Sequence, residues 1–265
     1  MGKRIATGVI GGGLFIGLTA LGGIFFSVLV ATIGLGTFYE YVKMHRDRPL
    51  SSHALLGFGL TFVLIFFTLS EIKQWFQLDL LWLVTFLLLF IAVITKNRVS
   101  LKRLSYILIG AVYIGLGFHY FVAVRTMENG LVLTFLVIAV VWATDSGAYF
   151  IGRLWGKRPL WPSISPNKTW EGAIGGLFTG SLAGLFVAVL GGLSFRPTSL
   201  IATVAVVSLG AQIGDLIESA IKRSLGVKDS GGILPGHGGF FDRFDSMIVA
   251  FPAFLWAARW FAPFV

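Results

Sequence analysis

The chain has 265 residues, of which 56% are hydrophobic and 12% charged, and its mean hydropathy is +0.86. So little polar surface excludes a soluble globule of this length and indicates an integral membrane protein. The absence of cysteine excludes disulfides, thiolate nucleophiles and cysteine metal sites. The net charge of +9 could indicate nucleic-acid binding, but in a membrane protein the first explanation is an excess of Lys and Arg on the cytoplasmic side.

The first apolar run, over residues 5–39, follows Lys3 and Arg4. As one helix it would be about 52 Å long, whereas the hydrocarbon core of a bilayer is about 30 Å thick. We therefore expect the run to turn at Gly22 and Gly23 and to form two spans. We interpret the first as a retained span rather than a cleaved signal peptide.

Seven further apolar stretches have the length of a membrane span. They cover residues 52–69, 78–95, 104–124, 131–151, 172–193, 200–220 and 244–264. The sequence thus predicts an all-α, polytopic integral membrane helix bundle of about nine transmembrane helices. Pro252 should kink or loosen the last helix.

The basic residues are distributed unevenly between the predicted loops. If the N-terminus is cytoplasmic, only Lys73, Arg125, Arg196 and Arg259 fall outside the cytoplasmic segments. This bias follows the positive-inside rule and explains the net charge without nucleic acid. It predicts a protein of the cell (inner) membrane whose polar loops, 152–171 and 221–243, face the cytoplasm.

The predicted seventh span carries a glycine at every fourth position, at Gly172, Gly176, Gly180 and Gly184. Such a stripe lets another helix approach closely. Packing within the bundle is the favoured interpretation, and a homodimer contact is the alternative.

Asp145 interrupts the sixth span, and a polar loop follows it. An ionised Asp inside a membrane costs about 2.5 to 3.5 kcal/mol on insertion scales, so we expect Asp145 to face a polar cavity. Just before the next helix, a turn with free N–H groups and Lys168 could hold an anion. A capping turn with ordinary cytoplasmic charge is the alternative. The candidate residues of this turn are Ser165, Asn167, Lys168 and Thr169.

Gln212, Asp215, Ser219 and Lys222 share one face of the eighth span. A carboxylate buried there needs a cation, either a functional one or Lys222 in a structural pair. For Glu218, structural pairing with Lys222 at i, i+4 is the favoured role.

A glycine-rich segment follows this helix, and glycines allow close backbone approach to phosphate oxygens. Cations precede it and carboxylates follow it, which strengthens a signal that would otherwise be weak. His237, between two glycines, either binds a phosphate or stabilises a turn. The flanking charged residues are Lys222, Arg223 and Lys228 before the glycines, and Asp242, Arg243 and Asp245 after them.

Asp242 and Asp245 are three residues apart at the start of the last span, so their carboxylates point the same way on a helix. Mg²⁺ takes one or two protein carboxylates and leaves its other positions to water and phosphates. Helix capping is the alternative, and it is nearly as well favoured for Asp245.

Residues 219–245 resemble the signature of the phosphatidate cytidylyltransferases, also called CDP-diacylglycerol synthases. The residues that carry this resemblance are Ser219, Lys222, Arg223, Lys228, Asp229, His237, Gly238, Gly239, Asp242, Arg243 and Asp245. A second segment, from Asp145 through Ser165, Pro166, Lys168, Thr169, Glu171 and Gly172, is similar to that family's other polar stretch. The N-terminal half matches the family in hydropathy and order of spans.

The resemblance implies transfer of CMP from CTP to phosphatidate, which yields CDP-diacylglycerol and pyrophosphate and requires Mg²⁺. It also implies a metal centre whose ligands are Asp215 and Asp242, and we add Asp245 as a third ligand. This centre could hold a second, monovalent ion such as K⁺. Residues 1–130 would then form about five N-terminal helices, and residues 131–265 the catalytic region. The expected catalytic residues are Asp145, Lys168, Asp215, Lys222 and Asp242, and the expected substrate-binding residues are Ser165, Asn167, Thr169, Ser219, Arg223, Lys228, His237, Gly238, Gly239 and Arg243.

Two other functions compete with this interpretation. A CTP-dependent polyprenol or diacylglycerol kinase would share the nucleotide and Mg²⁺ but transfer the terminal phosphate. An ion-coupled transporter would use the acidic residues Asp145 and Asp215 as a cation path.

Overall fold

The computed structural model describes residues 2–66, 74–233, 236 and 238–264. Within these ranges the chain forms nine helices and one short antiparallel sheet. The helices are α1 (Gly2–Leu21), α2 (Gly23–Met44), α3 (Ser52–Phe66), α4 (Gln74–Ile94), α5 (Leu101–Thr126), α6 (Gly130–Trp155), α7 (Trp170–Leu190), α8 (Pro197–Ser224) and α9 (Phe241–Phe261); the strands are β1 (Pro159–Trp161) and β2 (Ser165–Thr169).

The fold class predicted from the apolar runs is confirmed. The long N-terminal run breaks where the glycines predicted it would, because Gly22 and Gly23 adopt φ values of 70° and 52° that favour glycine. Five helices, α2 and α5 to α8, are long and apolar enough to cross a membrane. The total of nine spans stays a prediction.

The chain divides into two compact units. The first comprises Met1–Val122 and Ser230–Phe241, and the second comprises Ala123–Asp229 and Asp242–Val265.

In the first unit, a polar cluster joins the loop after α2 to the starts of α3 and α5. Asp47 Oδ2 accepts a hydrogen bond from the Tyr106 hydroxyl and lies 2.7 Å from His53 Nε2. Burial raises the pKa of Asp47, but the hydrogen bonds from Tyr106, His53 and the N–H of Arg48, together with the charge of His53, hold it below its ordinary value. The ionised carboxylate therefore fastens three elements of this unit.

We expect Asp47→Ala to lower the midpoint of thermal inactivation, because Tyr106 and His53 lose their acceptor in a buried setting, at a cost of about 1 to 3 kcal/mol. A depressed pKa stabilises the folded state above the unfolded pKa, about 3.9 for Asp, and this contribution disappears as the pH falls through the folded value. Thermal inactivation of the wild type and the variant between pH 3 and 7 tests both points. Equal midpoints at pH 7 would contradict the role given to Asp47.

In the second unit, the glycine stripe of α7 packs against α6 and α8, as favoured from the sequence. A Cβ atom at Gly176 would lie 2.7 Å from the carbonyl oxygen of Thr144, and one at Gly184 would lie 2.6 Å from Val204. Only glycine lets these helices approach so closely. The homodimer stays a prediction.

The loop between α6 and α7 holds a feature that the sequence did not reveal, the hairpin of β1 and β2. Just before the hairpin, the N–H groups of Lys157 and Arg158 donate hydrogen bonds to Glu171 Oε2. At the end of β2, Thr169 Oγ1 accepts a hydrogen bond from the N–H of Gly172 and caps α7. The capping role considered for this segment is thus found, but residues 165–169 form a strand rather than a plain turn.

Candidate active site

The second unit contains a cavity of about 440 Å³ between α6, α7, α8 and the hairpin. Five of the predicted site residues line it: Asp145, Asn167, Lys168, Thr169 and Asp215. Asp145 projects from α6, as expected of a carboxylate that faces a polar space. The other lining residues are Ala148, Tyr149, Gly152, Arg153, Leu160, Gly172, Ala173, Gln212 and Leu216.

Lys168 and Asp215 form an ion pair in this cavity, with 2.6 Å between Nζ and Oδ2. The lysine comes from β2 and the aspartate from α8, so the pair links the polar loop that follows Asp145 to the polar face of the eighth predicted span. The structural alternative paired Asp215 with Lys222, whereas its cation here is Lys168. Ser219, one turn further along α8, donates a hydrogen bond to Asp215 Oδ1 at 3.4 Å.

Lys222 contacts two carboxylates near the C-terminal end of α8. Its Nζ lies 2.7 Å from Glu218 Oε1 and 2.8 Å from Asp242 Oδ1. The pairing of Lys222 with Glu218 is confirmed. The contact with Asp242 connects α8 to the first turn of α9.

Three carboxylates from α8 and α9 form a cluster that could hold a metal ion. Oxygen atoms of Asp215, Glu218 and Asp245 all lie within 4.8 Å of one another, and Glu218 and Asp245 are buried. Such a set of hard oxygen donors suits a hard cation. Two of the predicted ligands, Asp215 and Asp245, belong to this cluster, and the third, Asp242, contacts Lys222 one turn before Asp245.

Among the described residues, the other predicted ones are outside the cavity lining and the acidic cluster. Arg223 donates to the carbonyl oxygen of Ile164 at 3.3 Å and so contacts the turn of the hairpin, and Ser165 lies at the start of β2. Lys228 and Arg243 are exposed. Gly238 and Gly239 belong to the first unit. His237 lies outside the described residues.

Some residues around this site were not among those predicted for it. Gln212 lines the cavity and donates to the carbonyl oxygen of Ala173 at 3.2 Å. Glu218 joins the acidic cluster, although the sequence indicated a structural role for it alone. Both share a helix face with Asp215, and that periodicity was the available signal.

Comparison with known proteins identifies the family. The sequence model of the cytidylyltransferase family matches residues 2–261. The phosphatidate cytidylyltransferase of Bacillus subtilis (strain 168) is 37% identical over 256 residues, covering 95% of both chains. The protein of the same name from Staphylococcus haemolyticus (strain JCSC1435) is 38% identical over 258 residues, covering 95% of this chain and 96% of its own.

These matches extend through the N-terminal half, where the sequence offered only hydropathy and the order of spans. They confirm the resemblance carried by residues 219–245. The two segments of the resemblance meet where Arg223 donates a hydrogen bond to the carbonyl oxygen of Ile164. The chain belongs to the cytidylyltransferase family.

Proposed function

We propose that this protein transfers CMP from CTP to phosphatidate, giving CDP-diacylglycerol and pyrophosphate. The observation that carries the proposal is a cavity where Lys168 and two carboxylates, Asp145 and Asp215, converge in a membrane protein of this family. Family membership supports the use of CTP, and the relatives named phosphatidate cytidylyltransferase support the lipid substrate.

In this reaction a phosphate oxygen of phosphatidate attacks the α-phosphorus of CTP, and the bond from that phosphorus to the bridging oxygen of the β-phosphate breaks. Both substrates are anionic, so the protein must mainly neutralise and align charge. The attacking group is already an oxyanion, and a covalent enzyme intermediate is unnecessary.

The acidic cluster would hold Mg²⁺, with Asp215 and Asp245 as ligands and Asp242, which lies one turn before Asp245, as a third. Bound there, the ion would offset the charge of the triphosphate. A second, monovalent ion such as K⁺ belongs to the same proposal. Lys222 already balances Glu218 and Asp242, and so limits repulsion among the carboxylates.

The cationic side chains have separate tasks in this proposal. Lys168 exchanges its contact with Asp215 for a substrate phosphate, and Arg223, Lys228 and Arg243 hold the leaving pyrophosphate. Asn167, Thr169, Ser165 and Ser219 supply hydrogen bonds to substrate, as do His237 and the N–H groups of Gly238 and Gly239. Asp145, which lines the same cavity as Lys168, orients that lysine.

Phosphatidate reaches the site from the membrane, and CTP reaches it from the cytoplasm. The distribution of Lys and Arg along the chain supports the cytoplasmic position of the site. The acyl chains stay among the helices, so only the headgroup has to enter the cavity.

Product analysis of the purified protein tests the proposal. CTP labelled in the α-phosphate, phosphatidate and Mg²⁺ should yield labelled CDP-diacylglycerol and one pyrophosphate per turnover. Labelled CDP with a newly phosphorylated lipid would identify a kinase instead. Cation flux in proteoliposomes without CTP turnover would identify a transporter.

A further inference from the structure

One buried carboxylate of the first unit does not belong to the groups described so far. Glu40 is in α2, one turn before the helix ends, and its side chain is 1% exposed. Burial of a carboxylate is costly unless hydrogen bonds replace its lost hydration. The partners of Glu40 therefore indicate what it does.

Two of these partners lie at opposite ends of the segment 230–241. Glu40 Oε2 accepts a hydrogen bond from the backbone N–H of Phe241 at 2.9 Å and one from the Ser230 hydroxyl at 3.2 Å. One oxygen atom thus fastens both ends of the glycine-rich segment. Phe241 is the first residue of α9, and Asp242 follows it directly.

Two glycines of the segment are also explained by Glu40. A Cβ atom at Gly231 would lie 2.7 Å from Glu40 Oε1, and one at Gly239 would collide with Oε2. Neither glycine has the positive φ of Gly236 and Gly238, which is 78° at both. At position 231 glycine is required because the backbone closes around the carboxylate, and at position 239 the Ser230 hydroxyl crowds the same space as well.

We propose that Glu40 is a positioning residue for the transfer reaction, fixing the glycine-rich segment and with it the backbone that leads into Asp242. This inference rests on the proposed function of Asp242 and of the segment. Glu40 touches no substrate in this role; it acts through the placement of residues that do.

The experiment compares Glu40→Ala and Glu40→Gln with the wild type. Thr37→Val is the matched control, since Thr37 is also buried, lies one turn earlier in α2, and hydrogen-bonds within its own helix, to the carbonyl oxygen of Ile33. Hydrogen exchange of residues 230–241 reports on the segment. Turnover per mole of folded enzyme, at varied CTP and Mg²⁺, reports on the reaction.

We expect Glu40→Ala to speed amide exchange in the segment at least tenfold and to lower kcat by about 10²-fold, the scale of a 1 Å misplacement at a reacting centre. The Mg²⁺ concentration for half-maximal turnover should rise as well, which a loss of folded protein alone would not produce. Glu40→Gln keeps one carbonyl oxygen as acceptor and should be intermediate. Thr37→Val should match the wild type.

A second measurement uses the predicted collision. Gly231→Ala should cost less activity in the Glu40→Ala background than in the wild type, because the three atoms nearest to the new Cβ all belong to Glu40. Additive effects of the two substitutions would count against the packing that underlies the proposal.

The outcomes separate this inference from the proposed function. Unchanged exchange in Glu40→Ala would overturn it, and so would faster exchange with normal kcat and Mg²⁺ dependence while Asp242→Asn is inactive. Near-normal turnover in Asp242→Asn would instead remove the site assignment on which the inference rests.

Discussion

Replacing Asp215 by Asn should lower kcat by about 10³-fold, the largest effect expected of any single substitution in this protein. Asp215 lies within both the cavity and the acidic cluster, and it is ion-paired with Lys168 at 2.6 Å. An amide of the same shape removes the charge that attracts the divalent ion and the partner that holds Lys168. Losing one electrostatic group from a reaction centre commonly lowers kcat by 10²- to 10³-fold. Asp215 supports two such groups, the divalent ion and Lys168.

Pyrophosphate release from CTP in the presence of phosphatidate and Mg²⁺ measures this effect. Glu128→Gln is a suitable control, because it makes the same acid-to-amide change at an exposed position between α5 and α6. Asp215→Asn should insert into the membrane and elute from a sizing column as the wild type does. Turnover within a few-fold of the wild type would refute the metal role.

The second large effect is expected at the two acidic residues that open α9. Asp242→Asn and Asp245→Asn should each remove most activity and raise the Mg²⁺ requirement at least tenfold, as expected when groups that hold or orient a metal ion are lost. Asp245 is buried within the acidic cluster, and Asp242 contacts Lys222 at 2.8 Å. Titrating both variants with Mg²⁺ at saturating CTP compares them directly.

The comparison separates a metal ligand from an ion-pair partner. If Asp242 serves only to hold Lys222, its variant should turn over more slowly at an unchanged Mg²⁺ requirement, and Lys222→Ala should reproduce that behaviour. This pattern would contradict the ligand role of Asp242 and leave Asp215 and Asp245 as the metal site. Normal turnover in Asp245→Asn would remove that residue from the metal site.

The sequence predicted the helices well because bilayer thickness and apolar length constrain each other. It also predicted the break at Gly22, since no single span can be as long as the first apolar run. Helix ends were less accurate: α8 begins at Pro197 and continues to Ser224, beyond the predicted 200–220. The last turn of α8 is polar, so a prediction based on hydropathy alone ends the helix too early.

The hairpin and the role of Glu40 were beyond sequence reasoning for different reasons. Pro159, Pro162 and Pro166 interrupt any strand pattern in a stretch too short to show alternation. Glu40 lies far along the chain from the segment it fastens, and its only signal was a lone acidic residue inside an apolar helix. Similarly, the choice of Lys168 over Lys222 as partner of Asp215 depends on tertiary packing, which residue spacing does not specify.

The two sides of α7 differ in a way that bears on adaptation to different bilayers. One side is the glycine stripe, where the missing side chains let atoms of α6 and α8 pack directly on the main chain of α7. The other side exposes Ile174, Phe178, Leu182 and Phe186, which repeat every four residues. Because the cavity wall depends on the first side, the outward side chains can change in bulk to match acyl chains of another length or fluidity while the wall keeps its geometry.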